Sequence, residues 1–198
     1  MKSLVEDGYR TYGGLGNRKT GKSTFINCVA INTRAGFEIS GPVEGVEKSV
    51  IENGVALGTE RGYLLGDNVV VRNSRGDITH GPLLYLRGGR GSDVELQLTG
   101  RGSDYTVHAI ATIAGSDHRV RLWGGEYDRQ SPAVPIMLGY GMPDHAEMSS
   151  PIRPAATKNV TLINELKGVT VIRSAEAADS TVKSDGAVVN DADTRKVK

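Results

Sequence analysis

Short apolar runs that end in asparagine recur along this 198-residue chain. They are Thr24-Phe25-Ile26-Asn27, Val50-Ile51-Glu52-Asn53, Val70-Val71-Arg72-Asn73 and Thr161-Leu162-Ile163-Asn164. The first two belong to a longer repeat. The segment from Lys22-Ser23 to Gly41 aligns with Lys48-Ser49 to Asp67 at an offset of 26 residues. Val29 then matches Val55, Ala30 Ala56, Thr33 Thr59, Gly36 Gly62, Phe37 Tyr63 and Ile39 Leu65. A unit of strand length with Gly or Asn at its corners cannot bury its apolar side alone. It predicts a stacked solenoid.

The same pattern places the elements. Residues 1–18 are polar and Gly-rich and form an irregular N-terminal segment. From 19 to 173 the chain reads as short strands between turns: Thr24–Asn27, Val29–Ile31 and Phe37–Ile39, then Val50–Asn53, Val55–Leu57 and Tyr63–Leu65, then Val69–Asn73 and Leu83–Leu86. After Gly88-Gly89 the triplet Gly-Ser-Asp occurs at 91–93, 102–104 and 115–117, each followed by alternating apolar and polar residues. Such alternation marks a half-buried strand. Stacking the first and third triplets at an offset of 24 puts Leu96 over Val120 and Leu98 over Leu122 inside. Outside, Glu95 meets Arg119, Gln97 meets Arg121 and Thr99 meets Trp123. A strand at Val134–Leu138 precedes a long loop at 139–158, and strands resume at Asn159–Asn164 and Val169–Arg173. The C-terminal tail, 174–198, carries a weak helical turn at 175–179 and a last strand at Ala187–Val189. About six coils result, a stack on the order of 30 Å long at the usual strand spacing.

Composition changes this picture little. The 26 glycines favour many turns over large helices. A formal charge of +1 gives no electrostatic case for nucleic acid or an anionic membrane. The single cysteine, Cys28, rules out an intrachain disulfide and reads as a small buried or corner residue, since its repeat partner is Gly54. Met1–Asp7 has no apolar core of a signal peptide, and no run is long enough to span a membrane.

The motifs Val-Ala-Ile/Leu (29–31, 55–57) and Gly-aromatic-x-Ile/Leu (36–39, 62–65), with their corner asparagines, resemble the right-handed parallel β-helix repeat of the pectate-lyase-like superfamily. The resemblance covers about three quarters of the chain. It implies an all-β fold with three short sheets per coil and an asparagine ladder, to which Asn27, Asn53, Asn73 and Asn164 match. A side-chain amide both donates and accepts, so stacked amides satisfy one another and the backbone. The ladder is interrupted in the middle coils, where Gln97 or Thr99 stands near the expected place. The resemblance also implies an extracellular, cell-surface or periplasmic setting and a polysaccharide lying on the outer face of the sheet that begins at the Gly-aromatic strand.

On that face or its turns lie Glu38, Asp67, His80, Arg87, Arg90 and His108. Lyase chemistry needs a base for the proton α to a uronate carboxyl and a group that neutralises the carboxylate. His80 or His108 fits the base, Arg87 or Arg90 the carboxylate clamp, and calcium is the cofactor that would do the same work. Hydrolysis needs close carboxylates, for which Asp67 with Asp77, or Glu60 with Asp67, are the pairs to test. Arg119, Arg121 and Trp123 form one outward strip suited to stacking a sugar. The ordinary role of each is plainer, a solvated side chain or a turn-stabilising Asp. The four histidines, His80, His108, His118 and His145, show no zinc-type pairing, and Asp191 and Asp193 are only a faint calcium signal.

Gly16-Asn17-Arg18-Lys19-Thr20-Gly21-Lys22-Ser23 matches the phosphate-loop pattern letter for letter. Its context is wrong, because no buried strand precedes it and a β repeat rather than a helix follows. Three functions are therefore ranked: a polysaccharide-processing lyase, epimerase or hydrolase; a non-catalytic carbohydrate-binding or surface-attachment module, such as an adhesin or tailspike piece; and, last, a nucleotide binder. An open stack end leaves strand edges unpaired, which calls for a further N-terminal part or a partner chain.

Overall fold

The computed structural model describes residues 6–11, 21–43, 47–100, 108–124, 134–141 and 153–191. In chain order the strands are β1 (Tyr9–Arg10), β2 (Thr24–Ile26), β3 (Val29–Ile31), β4 (Ala35–Ile39), β5 (Ser49–Glu52), β6 (Val55–Leu57) and β7 (Arg61–Leu65). There follow β8 (Val69–Asp77), β9 (Leu84–Arg90), β10 (Asp93–Gly100), β11 (Ala111–Ser116), β12 (Arg119–Gly124), β13 (Ile136–Leu138) and β14 (Tyr140–Gly141). The last are β15 (Arg153–Pro154), β16 (Thr157–Lys158), β17 (Thr161–Asn164), β18 (Val171–Arg173), β19 (Thr181–Ser184) and β20 (Val188–Asn190). A single 3-10 turn at Ala175–Ala177 is the helical element of the 174–191 stretch.

The protein is all-β, and its strands form two long parallel sheets, an arrangement compatible with a parallel β-helix. The first sheet runs β1-β4-β7-β9-β11-β13-β18-β20, with β16 attached to β11. The second runs β19-β17-β12-β10-β8-β5-β2, with β6 on β8 and β3 on β6. Chain order rises steadily along each sheet, so successive passes of the chain lie side by side. The offset of 26 seen in the sequence is the register observed: Thr24 pairs Val50, Val29 pairs Val55, Phe37 pairs Tyr63 and Ile39 pairs Leu65.

Side-chain alternation across each strand builds the core between the sheets. From the first sheet come the rows Phe37–Tyr63–Leu84–Ala111–Ile136–Val171 and Ile39–Leu65–Leu86–Ile113–Leu138. The second supplies Ile51–Val71–Val94–Val120–Leu162, and all of these residues belong to one buried cluster. Full burial of each large side chain is worth roughly 1.5–3 kcal/mol before chain entropy is counted. Tyr9, Phe37 and Tyr63 stack face to face at 5.0 Å per step, with Phe25 edge-on to Tyr9. The Tyr63 hydroxyl donates to the Arg75 carbonyl at 2.9 Å, which permits a phenol in that column.

Corners need left-handed backbone, which Asn, Asp and Gly adopt most cheaply. Asn27, Asn53 and Asn73 hold φ values of 56°, 55° and 47°. The Asn53 amide donates to Asn27 Oδ1 at 2.8 Å, and the Asn73 amide donates to Asn53. Asn164 departs from the expected ladder. It pairs with Leu122 and Ser184, an inward register, and is 1% exposed. Its amide donates to the Val169 carbonyl at 3.2 Å and to Ser184 Oγ at 2.9 Å, bridging a corner from inside.

A second left-handed corner, at Asn68, Gly91, Asp117 and Asn159, corrects the register expected for the middle strands. The first Gly-Ser-Asp places its Gly there and the third places its Asp. The strands therefore stack at 26 rather than 24 residues: Val94 faces Val120, Leu96 faces Leu122, Glu95 faces Arg121 and Gln97 faces Trp123. The two-residue shift preserves which side chains point inward, because the strand period is two. Arg119 still reaches Glu95 at 3.4 Å, and Asp93 at 3.3 Å.

The sheets also extend past the segment limits drawn from the sequence. Tyr9–Arg10 pairs with Phe37–Glu38, and β19 and β20 continue both sheets beyond 173. Residues 101–107, which hold the second triplet with Asp104 and the start of an expected strand, lie outside the described residues, and so do His145 and Asp193. Ala111–Ser116 is the strand found after them.

Candidate functional site

The outer face of the first sheet is organised by the same alternation. Between the inward rows runs Arg10–Glu38–Leu64–Tyr85–Thr112–Met137. Arg87, two residues beyond Tyr85, points the same way and sits over Ala114. The middle of this face is covered. Leu64 is 2% exposed, Tyr85 6% and Thr112 0%. Strand β14 packs against β9 and β11 and pairs antiparallel with β15, with Tyr140 buried. At the other side the face stays open above a shallow depression that includes Thr11, Glu38, Ser40 and Leu64.

Charged groups gather around that opening. Asp7, with a nearly buried side chain, bridges Arg10 at 3.0 Å and Arg34 at 3.3 Å, and Glu6 adds a contact to Arg34 at 3.0 Å. Arg10 also approaches Glu38 at 3.5 Å. Burial holds the Glu38 carboxyl above the usual carboxylate range. Arg10 and Arg87 oppose the shift, while Asp7 adds to it through charge and a shared hydrogen bond. Arg61 lies half-buried nearby. Burial lowers its pKa, and the like charges of Arg34 and Arg87 push the same way against Tyr85 and Glu60. Burial pushes the Tyr85 hydroxyl up to about 12.

The structure distributes the sequence candidates over several places. Glu38 and Arg87 lie on this face. His80 and His108 precede β9 and β11, at the N-terminal ends of the strands; His80 is half-buried and His108 exposed. Asp67 and Arg90 lie at the opposite, C-terminal ends. There the Arg90 backbone N–H donates to Asp67 Oδ1 at 3.0 Å, and the Arg90 guanidinium donates to the Val43 carbonyl at 3.0 Å. The length of β7 separates Glu60 from Asp67, roughly 20 Å of extended chain, well beyond the spacing of a glycosidase pair. Asp77 is occupied at another corner, accepting from the Gly58 N–H at 3.0 Å and from Thr79 Oγ1 at 2.8 Å.

Arg119, Arg121 and Trp123 do form one outward strip, but on the second sheet. Arg121 stacks over the Trp123 ring at 5.2 Å and pairs with Glu165 at 3.0 Å. His118 is buried: its Nδ1 accepts from the Ser92 N–H at 3.1 Å, and desolvation lowers its pKa. Cys28 packs against the core edge. Among the described residues no three His, Cys, Asp or Glu side chains gather as a metal site, and no helix is long and apolar enough to cross a membrane. The phosphate-loop pattern runs into strand β2 rather than a helix.

Arg61, Tyr85 and Asp7 were not singled out in the sequence. A signal for Arg61 was present: within the repeat its partner is Ala35, so a buried alanine becomes a charged residue in the next pass. Tyr85 was hidden in the apolar run Leu83–Leu86, which reads as wholly buried. Compared with known proteins, the sequence matches no family model and no curated relative.

Proposed function

We propose that this chain is a right-handed parallel β-helix of about six coils, similar to the pectate-lyase-like superfamily, whose first sheet offers its outer face to a polysaccharide. One observation carries the reading: beside the covered middle of the face lies a shallow depression that includes Thr11, Glu38 and Ser40, with Arg10 at 3.5 Å from Glu38. Sugar sites are concave with a few polar groups that orient the ligand, and Thr11, Glu38 and Ser40 with the neighbouring Arg10 supply such groups here.

Binding or surface attachment fits this geometry better than turnover. His80 and His108 stand at one end of the strands and Asp67 and Arg90 at the other, with Asp67 already used by the backbone. The enzymatic alternative has its own support in the Asp7–Glu38 carboxyl pair, where burial raises the Glu38 pKa in the direction a general acid requires. Titration of the protein with a panel of neutral and anionic polysaccharides tests the proposal. Saturable binding without new reducing ends or unsaturated products is expected. Release of either product returns the chain to the enzyme class, and silence across the whole panel removes the carbohydrate reading.

A further inference from the structure

We propose that His118 is a proton-sensitive latch: protonation of its buried ring releases the Gly88–Ser92 turn, slackens the Ser40–Gly66 side of the depression and so weakens ligand binding on acidification. The inference rests on the carbohydrate reading and deepens it, by giving the same site a regulation by pH.

The latch belongs to a column of inward corner positions. Register stacks Ser49, Val69, Ser92, His118, Val160 and Ser180 one on another at the start of the second sheet's strands. Each polar member accepts a hydrogen bond from a backbone N–H of the neighbouring pass. Ser49 Oγ accepts from Ser23 at 3.1 Å, Ser92 Oγ from Val69 at 3.1 Å, and Ser180 Oγ from Val160 at 3.3 Å. His118 Nδ1 accepts from Ser92 at 3.1 Å. The hydroxyls do this at any pH, whereas the imidazole does so only while Nδ1 carries no proton. The proton of the neutral ring is therefore on Nε2, which is buried without a hydrogen-bond partner. A second proton has to enter at Nδ1, where it sets two N–H donors against each other. The ring has no room to turn aside, because it is 2% exposed and its Nε2 lies 2.6 Å from where a Cβ on Gly115 would stand. The turn is the part that can move: Gly88, Gly89 and Gly91 all hold positive φ, and a Cβ on Gly88 would meet open space.

Ser92 carries the effect to the depression. Its hydroxyl donates to the Gly66 carbonyl at 2.9 Å. The Gly66 N–H donates to the Ile39 carbonyl at 3.0 Å, and the adjacent Asp67 N–H donates to Ser40 Oγ at 3.2 Å. Ile39, Ser40 and Gly66 all line the depression. A contiguous hydrogen-bonded path thus joins the imidazole to the site. Burial lowers the His118 pKa, while the Gly88 and Gly89 carbonyls and the carboxylates of Asp67 and Asp117 favour the charged ring. The cations on the elements packed around it are Lys48, whose Nζ donates to the Gly91 carbonyl at 2.6 Å, Arg90 in the turn, and Lys158, paired with Ser116.

The experiment uses the full chain, isotope-labelled, and follows the His118 ring and the Ser92 amide by NMR from about pH 7.5 downward. Calorimetric titration of the polysaccharide that binds best in the panel accompanies it. The coupling across the hydrogen bond from Ser92 N to His118 Nδ1 is expected near neutral pH and is expected to vanish as the ring titrates. Exchange protection should fall at the Ser92 and Val69 amides and persist at the Gly54 amide, which donates to Ser74 Oγ. Affinity should drop roughly fivefold or more over the same titration, and His118→Asn should remove that part of the pH dependence. Should His118→Asn not fold, His118→Ser, the residue type used elsewhere in the column, takes its place. A Ser92 amide that stays unchanged through the His118 titration, or global unfolding before the ring titrates, overturns the latch. Affinity that falls equally in wild type and variant overturns its link to the site and leaves the carbohydrate reading standing. Silence of every polysaccharide removes the carbohydrate reading, and the Ser92 and Gly66 amides then decide the latch alone.

Discussion

Single residues set the corners and the charges. Asn53 holds a left-handed backbone and both accepts from Asn73 and donates to Asn27. Asn53→Ala loses both bonds and keeps the strained φ, so a loss of about 1–3 kcal/mol is expected in urea unfolding, with Asn53→Gly nearer the smaller value. Glu38 has a folded pKa above its unfolded one, so the folded state binds the extra proton. Its contribution is complete at low pH and fades as pH rises from about 4.5 through the folded value. Glu38→Gln should flatten Tm against pH across that window; an unchanged slope would assign the effect elsewhere. His118 has the opposite sign. Its lowered pKa means stability is complete above about 6.5 and declines as pH falls below it. His118→Asn, which keeps an acceptor for the Ser92 N–H, should remove the decline below pH 6.5. At this scale the sequence was readable wherever chemistry matched conformation. Three of the four asparagines stack because each occupies a left-handed corner. Asn164 ends a run of the same kind, Thr161-Leu162-Ile163, yet it lies one position further inward, a distinction that only the corner geometry makes.

Strands were legible through alternation, and their pairing was legible where the repeat was intact. The offset of 26 between the first two units became register without change. In the middle strands a period of two left several registers equally good, and the Gly-Ser-Asp triplet misled because Gly and Asp serve equally at a left-handed corner. The observed register is testable by cross-linking in a Cys28→Ser background. Cysteines at Glu95 and Arg121 face each other and should form a disulfide readily on oxidation. Cysteines at Glu95 and Arg119, the pair given by an offset of 24, should link slowly. The reverse order of rates would restore that alternative. Packing between strands is equally specific. A Cβ on Gly36 would come within 2.6 Å of the Gly62 carbonyl, and one on Gly62 as close to the Leu83 carbonyl. Either Gly→Val change should therefore unfold the protein or lower Tm by many degrees, and a variant with wild-type Tm would refute this close approach.

Across the whole molecule, two faces compete for the role of binding surface. The strip Arg119–Arg121–Trp123 is easily seen in sequence, but its charges are spent on Asp93, Glu95 and Glu165. The first sheet's face is harder to see, since Asp7, Arg34, Arg61 and Arg87 come from four separate passes of the chain. No spacing rule joins them until the strands are stacked. Their gathering, with the buried Arg61 Nε lacking a hydrogen-bond partner, is what distinguishes this face. The most direct test is to follow backbone amide NMR shifts while titrating the polysaccharide that binds best in the panel. Saturable shifts clustered on β4, β7 and β9, around Glu38, Arg61, Tyr85 and Arg87, are expected. Shifts confined to β10 and β12 around Trp123 would contradict the account.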